Sequence, residues 1–217
     1  MNTTLPTGVT SSTPSLITAI GGTVYFRATE ATMGLELWKT DGTAGGTVMV
    51  SDIFPGTSNS SPANLRDLGG TLVFSASSGT VAPGTGTELW KSDGTAGGTG
   101  LVRDVNPGAA SSSPGSLTVV KGVLYFPALT AANGRELWRS DGTAAGTTMI
   151  RNLNPGAVDS LPHSFTLVGG GPFFYFSAFT APQGASYGRA TAPARARPWW
   201  PTSSPGPAAL TRNASPR

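Results

Sequence analysis

Apolar residues in this chain come in short runs, and the runs recur. TVYFRA from Thr23, TLVFSA from Thr71, VLYFPA from Val123 and FFYFSA from Phe173 start 48, 52 and 50 residues apart. After each of the first three a second run follows. Residues 36–47 read ELWKTDGTAGGT, residues 88–99 ELWKSDGTAGGT and residues 136–147 ELWRSDGTAAGT. A third run then closes each copy: VMVSDI from Val48, LVRDV from Leu101 and TMIRNL from Thr148. Upstream, each copy opens on a glycine and a proline six residues later (Gly8/Pro14, Gly56/Pro62, Gly108/Pro114, Gly156/Pro162), followed by one more short apolar segment. Val, Ile, Tyr, Phe, Trp and Thr fill the runs, while Gly, Pro, Asn, Asp and Ser separate them. This pattern predicts four short strands per repeat. No stretch holds a 3.6-residue apolar period, so essentially no helix is expected.

The runs are apolar at successive positions, as in Val24-Tyr25-Phe26, which suits a small sheet buried on both faces between neighbours. Four-stranded units of this length stacked face to face are propeller blades, so the fold expected is all-β, a truncated β-propeller-like array. An open β-solenoid obeys the same nearest-neighbour logic and remains the alternative. The units divide at residues 5–56, 57–108, 109–156 and 157–184, about three and a half repeats. The second copy carries four extra residues in SSGTVAPGTGT, between its second and third strands.

Where a fourth ELW segment is due, near residue 186, the text is ASYGRATAPARARPWW. Residues 185–217 hold eight Ala, six Pro and five Arg, and no acid. That mixture has little apolar matter to offset chain entropy, so a disordered tail is expected, leaving the fourth unit with two strands. A reading-frame shift at or near codon 185 accounts for the text. Ala185-Ser186-Tyr187-Gly188 admits codons that, read from the third base, give Glu-Leu-Trp. Trp199-Trp200 can only be TGGTGG, which in the same frame gives Leu, Met or Val followed by Val, as at Leu101-Val102 and Met49-Val50. A gene with no ELW-encoding frame under residues 186–188 would end this reading.

The tail also explains the charge. The chain carries 14 Lys and Arg against 11 Asp and Glu, but residues 1–184 hold only nine of the basic residues and all eleven acids. Basicity confined to such a tail is no folded basic patch, and nucleic acid is not expected as a partner. There are no cysteines. No apolar run approaches the roughly 20 residues that span a bilayer. The start, MNTTLPTGVTSSTP, shows neither the basic opening nor the apolar centre of a signal peptide.

The string ELWKSDGTAGGT with the following LVRDVNPG resembles the ELWxxDGT repeats of bacterial, often myxobacterial, proteins, sometimes labelled hyalin-like. The resemblance covers about residues 5–184. It implies a secreted or cell-surface repeat protein, of propeller type, without implying any catalytic residue.

Read as chemistry, the motif is scaffold. Trp38, Trp90 and Trp138 should fill the space between neighbouring units. Asp41-Gly42, Asp93-Gly94 and Asp141-Gly142 should form turns in which the Asp side chain bonds backbone amides and Gly takes positive φ, an arrangement that resembles the Asp-box hairpins of other propellers. A calcium site on Asp41, Asp93 or Asp141 is the weaker reading, because the alternating acids of a calcium loop are missing. Glu36, Glu88, Glu136, Asp52 and Asp104 recur at equivalent places, and like environments do not separate the pKa values of an acid and a base. A structural hydrogen-bonding role is expected for them, with no catalytic, cofactor or metal residue assigned. The exceptions to the repeat are better ligand candidates. Arg66 stands where the other copies have Thr18, Thr118 and Thr166, and Asp67 where they have Ala19, Val119 and Leu167. The lone His163 is expected in a turn. The function expected is a non-enzymatic structural, adhesive or ligand-binding scaffold for a protein or glycan, with self-association through exposed sheet edges. The alternative is a fragment of a propeller-type carbohydrate-active enzyme.

Overall fold

The computed structural model describes residues 12–79, 84–167, 173–180, 184–191 and 211–213. They contain sixteen strands and no helix, in four antiparallel sheets. The first sheet comprises β1 (Ser15–Ile20), β2 (Thr23–Glu30), β3 (Gly34–Thr40) and β4 (Val48–Ser51), paired in chain order. The second repeats this with β5 (Ala63–Leu68), β6 (Thr71–Ser77), β7 (Thr87–Ser92) and β8 (Gly100–Arg103). The third holds β9 (Thr118–Val120), β10 (Val123–Thr130), β11 (Gly134–Ser140) and β12 (Thr148–Arg151). The fourth holds β13 (His163–Leu167), β14 (Phe173–Thr180), β15 (Gly184–Thr191) and β16 (Thr211–Asn213).

Every sheet is therefore a meander built within one repeat, which is the plan of a propeller blade. A solenoid would instead pair strands between repeats. The chain is an all-β, propeller-like array of four-stranded blades. It divides into two compact units at Pro114/Gly115, two sheets in each. In the first unit, Tyr25, Leu37, Val50 and Ile53 of the first repeat pack against Leu65, Leu72, Phe74 and Ala76 of the second. In the second unit, Val120, Tyr125, Leu137 and Leu153 pack against Phe174, Phe176 and Ala178.

The register repeats as well. Phe26 lies opposite Trp38, Phe74 opposite Trp90 and Phe126 opposite Trp138. Two residues further along each second strand, Ala28, Ala76 and Ala128 face Glu36, Glu88 and Glu136. The fourth sheet keeps this frame with other residues: Ala178 faces Ser186 and Phe176 faces Gly188.

That pairing corrects two expectations. The fourth unit does not stop after its second strand, and residues 185–191 and 211–213 are strand. The ladder is made by backbone groups, and an eight-residue β14 offers donors and acceptors that any extended segment can satisfy. Opposite Phe176 the missing tryptophan leaves a gap that the phenyl ring itself covers. A Cβ on Gly188 would lie 2.3 Å from Phe176 Cζ. The rest of the expected disorder, residues 192–210 and 214–217, lies outside the described residues.

Candidate functional site

The recurring glutamates sit on the third strand of the first three sheets, and each has no solvent exposure. Glu36 accepts backbone N–H bonds from Ile53 at 3.0 Å and Ser60 at 2.9 Å, and a third bond from the Ser60 hydroxyl. Glu88 repeats this with Val105 at 3.1 Å, Ser112 at 2.7 Å and the Ser112 hydroxyl. Glu136 takes the Leu153 N–H at 3.1 Å and the Ser160 hydroxyl at 2.7 Å. The donors lie 17 and 24 residues downstream, on the segment that leaves one sheet for the next. Each carboxylate therefore clamps the inter-repeat linker to the strand that precedes it.

Burial works against the charge these clamps carry. It pushes Glu88 up to about 7, with nearby Asp104 adding to the rise, although three hydrogen bonds pull the other way. Glu36 is raised by burial too, with Asp52 adding to it, and Glu136 by burial with Asp159 adding. Asp52 and Asp104 close the following turn, accepting the N–H of Gly56 at 3.2 Å and Gly108 at 2.9 Å.

The Asp-Gly turns are equally uniform. Asp41 Oδ1 accepts the Thr43 N–H at 2.9 Å and its hydroxyl at 2.7 Å, and that hydroxyl oxygen accepts the Gly46 N–H at 2.9 Å. Asp93 with Thr95 and Gly98, and Asp141 with Thr143 and Gly146, make the same bonds. Gly42 takes φ +94°, the left-handed value expected of it. The Thr43 and Thr95 bonds hold Asp41 and Asp93 below the usual carboxylate range. Among the described residues no group of three or more His, Asp or Glu is placed to hold a metal ion.

Arg66 and Asp67 are both exposed on β5. Arg66 faces Val73 and Asp67 faces Leu72 in the ladder, so the two side chains leave opposite sides of the sheet and do not converge. Asp67 Oδ1 accepts the Gly70 N–H at 2.6 Å across the hairpin turn, and Arg66 donates to its neighbour Leu65 O at 2.7 Å. His163 is corrected from a turn to the first residue of β13, its Nδ1 2.9 Å from Leu161 O. Two features escaped the sequence reading. One is the linker donors Ser60, Ser112 and Ser160. Their spacing of 24 from each Glu was readable, as was their Ser-Pro spacing, but nothing in the text ties them together until the linker folds back. The other is Lys39, whose ammonium donates to Gly94 O at 2.8 Å and joins the first sheet to the turn of the second.

No family model matches the chain, and no curated protein matches it. Solved structures similar to it are enzymes of low identity. Puromycin hydrolase shares 16% identity over 83% of this chain and 31% of its own, with a TM-score of 0.47. A GH43B from the xyloglucan locus of Bacteroides ovatus shares 16% over 90% and 41%, with a TM-score of 0.42. An endo-arabinase from Bacteroides thetaiotaomicron shares 14% over 84% and 75%, with a TM-score of 0.36. The chain spans less than half the length of the first two. At these values the likeness carries no argument about activity.

Proposed function

We propose that the chain is a non-enzymatic repeat scaffold, acting outside the cell or at its surface, that binds a protein or glycan ligand. The observation that carries this reading is the fate of the recurring acids. Glu36, Glu88 and Glu136 have no exposure; Glu36 and Glu88 spend both oxygens on linker amides and serine hydroxyls, and Glu136 spends its Oε2 on the Leu153 amide and the Ser160 hydroxyl. A general acid or base has to reach a substrate proton, and a sealed carboxylate does not. The turn acids Asp41, Asp93 and Asp141 are likewise committed to Thr43, Thr95 and Thr143. The external location is supported by the resemblance of the ELW segments to the ELWxxDGT repeats.

The test is incubation of the purified chain with a panel of plant and bacterial polysaccharides, following both retention and reducing ends. Retention on a glycan with no release of reducing sugar supports the scaffold. Release that co-purifies with the chain through two orthogonal columns overturns it and establishes the carbohydrate-active alternative.

A further inference from the structure

Stacked sheets have two unlike faces, and inside each compact unit the same pair of faces meets. In residues 1–114 the first sheet's face with Tyr25 and Leu37 packs on the second sheet's face with Leu72, Phe74 and Ala76. In residues 115–217 the third sheet's Tyr125 and Leu137 pack on Phe174, Phe176 and Ala178 of the fourth, with the Tyr125 and Phe174 rings 4.3 Å apart. Both contacts are of one kind, a tyrosine face laid on a phenylalanine-alanine face.

The fourth sheet's own tyrosine face is open. Tyr175 pairs with Thr166 as Tyr25 pairs with Thr18, so it occupies the equivalent position. Yet Tyr175 is 38% exposed and Phe179, on the same face, 43%, against 6% for Tyr25 and 1% for Tyr125. The opposite kind of face is under-covered on the first sheet. There Val24, Phe26 and Trp38 hold the positions of Leu72, Phe74 and Trp90. Leu72 and Phe74 are fully buried, whereas Val24 and Phe26 are only half-buried. Ile17, in the bulge of the adjoining β1, is 73% exposed.

We propose that the Tyr175–Phe179 face docks on the Val24–Phe26–Trp38 face of a second copy of this chain, head to tail. The partner follows from complementarity: among the described residues the fourth sheet leaves a tyrosine face open and the first sheet leaves a phenylalanine face under-covered, and the two contacts inside the units are the template for joining them. Among the described residues, neither unit joins two tyrosine faces or two phenylalanine faces. The surface that associates is a sheet face and not a sheet edge, and the contact is heterologous.

Sedimentation velocity of the whole chain over roughly a hundredfold concentration range tests this. The wild type should self-associate, and the double variant Tyr175→Lys/Phe179→Lys should weaken association by roughly tenfold or more. Both side chains are exposed, and circular dichroism with a thermal melt verifies that the variant folds. A fluorescently labelled variant, at a concentration where it does not associate with itself, should still co-sediment with unlabelled wild type, because it keeps the acceptor face. A wild type that stays monomeric, a variant that associates as the wild type does, or a labelled variant excluded from wild-type assemblies would each overturn the proposal. The last result would point to a symmetric contact between two tyrosine faces.

Discussion

Nine residues other than glycine have positive φ among the described residues, and eight of them flank the repeated prolines: Thr13 and Leu16, Ser61 and Asn64, Ser113 and Ser116, Leu161 and Ser164. The left-handed conformation costs an ordinary L-residue about 1–2 kcal/mol, so its recurrence marks a bulge the first strand requires. The ninth is Lys121, at φ +51° in the hairpin turn where the first two copies use Gly21 at +55° and Gly69 at +65°. Lys121→Gly should therefore stabilise the protein by about 0.5–1 kcal/mol, seen as a higher urea midpoint with an unchanged slope. Glu88→Gln should do the reverse. One carboxylate oxygen serves Ser112 N–H and the other Val105 N–H, so an amide must turn its NH2 toward one of these donors. A loss of about 1–3 kcal/mol in chemical denaturation is expected. No loss would mean the linker is held by its other bonds.

At the scale of the element, strand and turn were legible because each has a local cause. The runs of Val, Tyr and Phe, and the Gly-Gly and Asp-Gly turns, set β2 and β3, and the structure adds the register that puts Ala28 opposite Glu36. The bulges of β1, β5 and β13 were not legible, since Pro14, Pro62 and Pro162 announce a break and not its direction. The glutamate clamps were half legible: repetition argued for a structural role, but the partners lie across a linker whose path no local rule fixes. The Asp-Gly turn permits a sharper test. A Cβ on Gly98 would stand 2.0 Å from Asp93 Oδ1, so Gly98→Ala collides with the carboxylate that Thr95 holds in place. Gly98→Ala should cost about 1–3 kcal/mol in the wild type and markedly less in an Asp93→Ala background, where that oxygen is gone. A full double-mutant cycle by thermal denaturation reads the coupling. Equal costs in both backgrounds would place the strain elsewhere.

For the whole molecule, the tail misled the sequence reading because composition speaks to entropy and not to an available sheet edge. The structure pairs Gly184–Thr191 with β14 at the places of the absent Glu and Trp. The acids inside that scaffold set how it responds to pH, and they act in opposite senses. Burial raises Glu36, Glu88 and Glu136, and Glu88 moves from an ordinary 4.5 to about 7. A carboxyl whose folded pKa is raised binds its proton more tightly when folded. Its stabilising contribution is complete below its unfolded pKa and is lost as pH climbs through the folded value. For Glu88 that window runs from about 4.5 to about 7. Asp41 and Asp93 are lowered by their Thr43 and Thr95 bonds, so their contribution is present above the ordinary aspartate range and disappears as pH falls through the folded values. The melting temperature should then peak on the acid side of neutrality and fall both toward strong acid and toward pH 8. Glu88→Gln, which cannot titrate, should flatten the fall between pH 5 and pH 8 while leaving the acid limb in place. A melting temperature that rises steadily to pH 8 would show that the clamps stay ionised in the folded protein, with their hydrogen bonds outweighing burial.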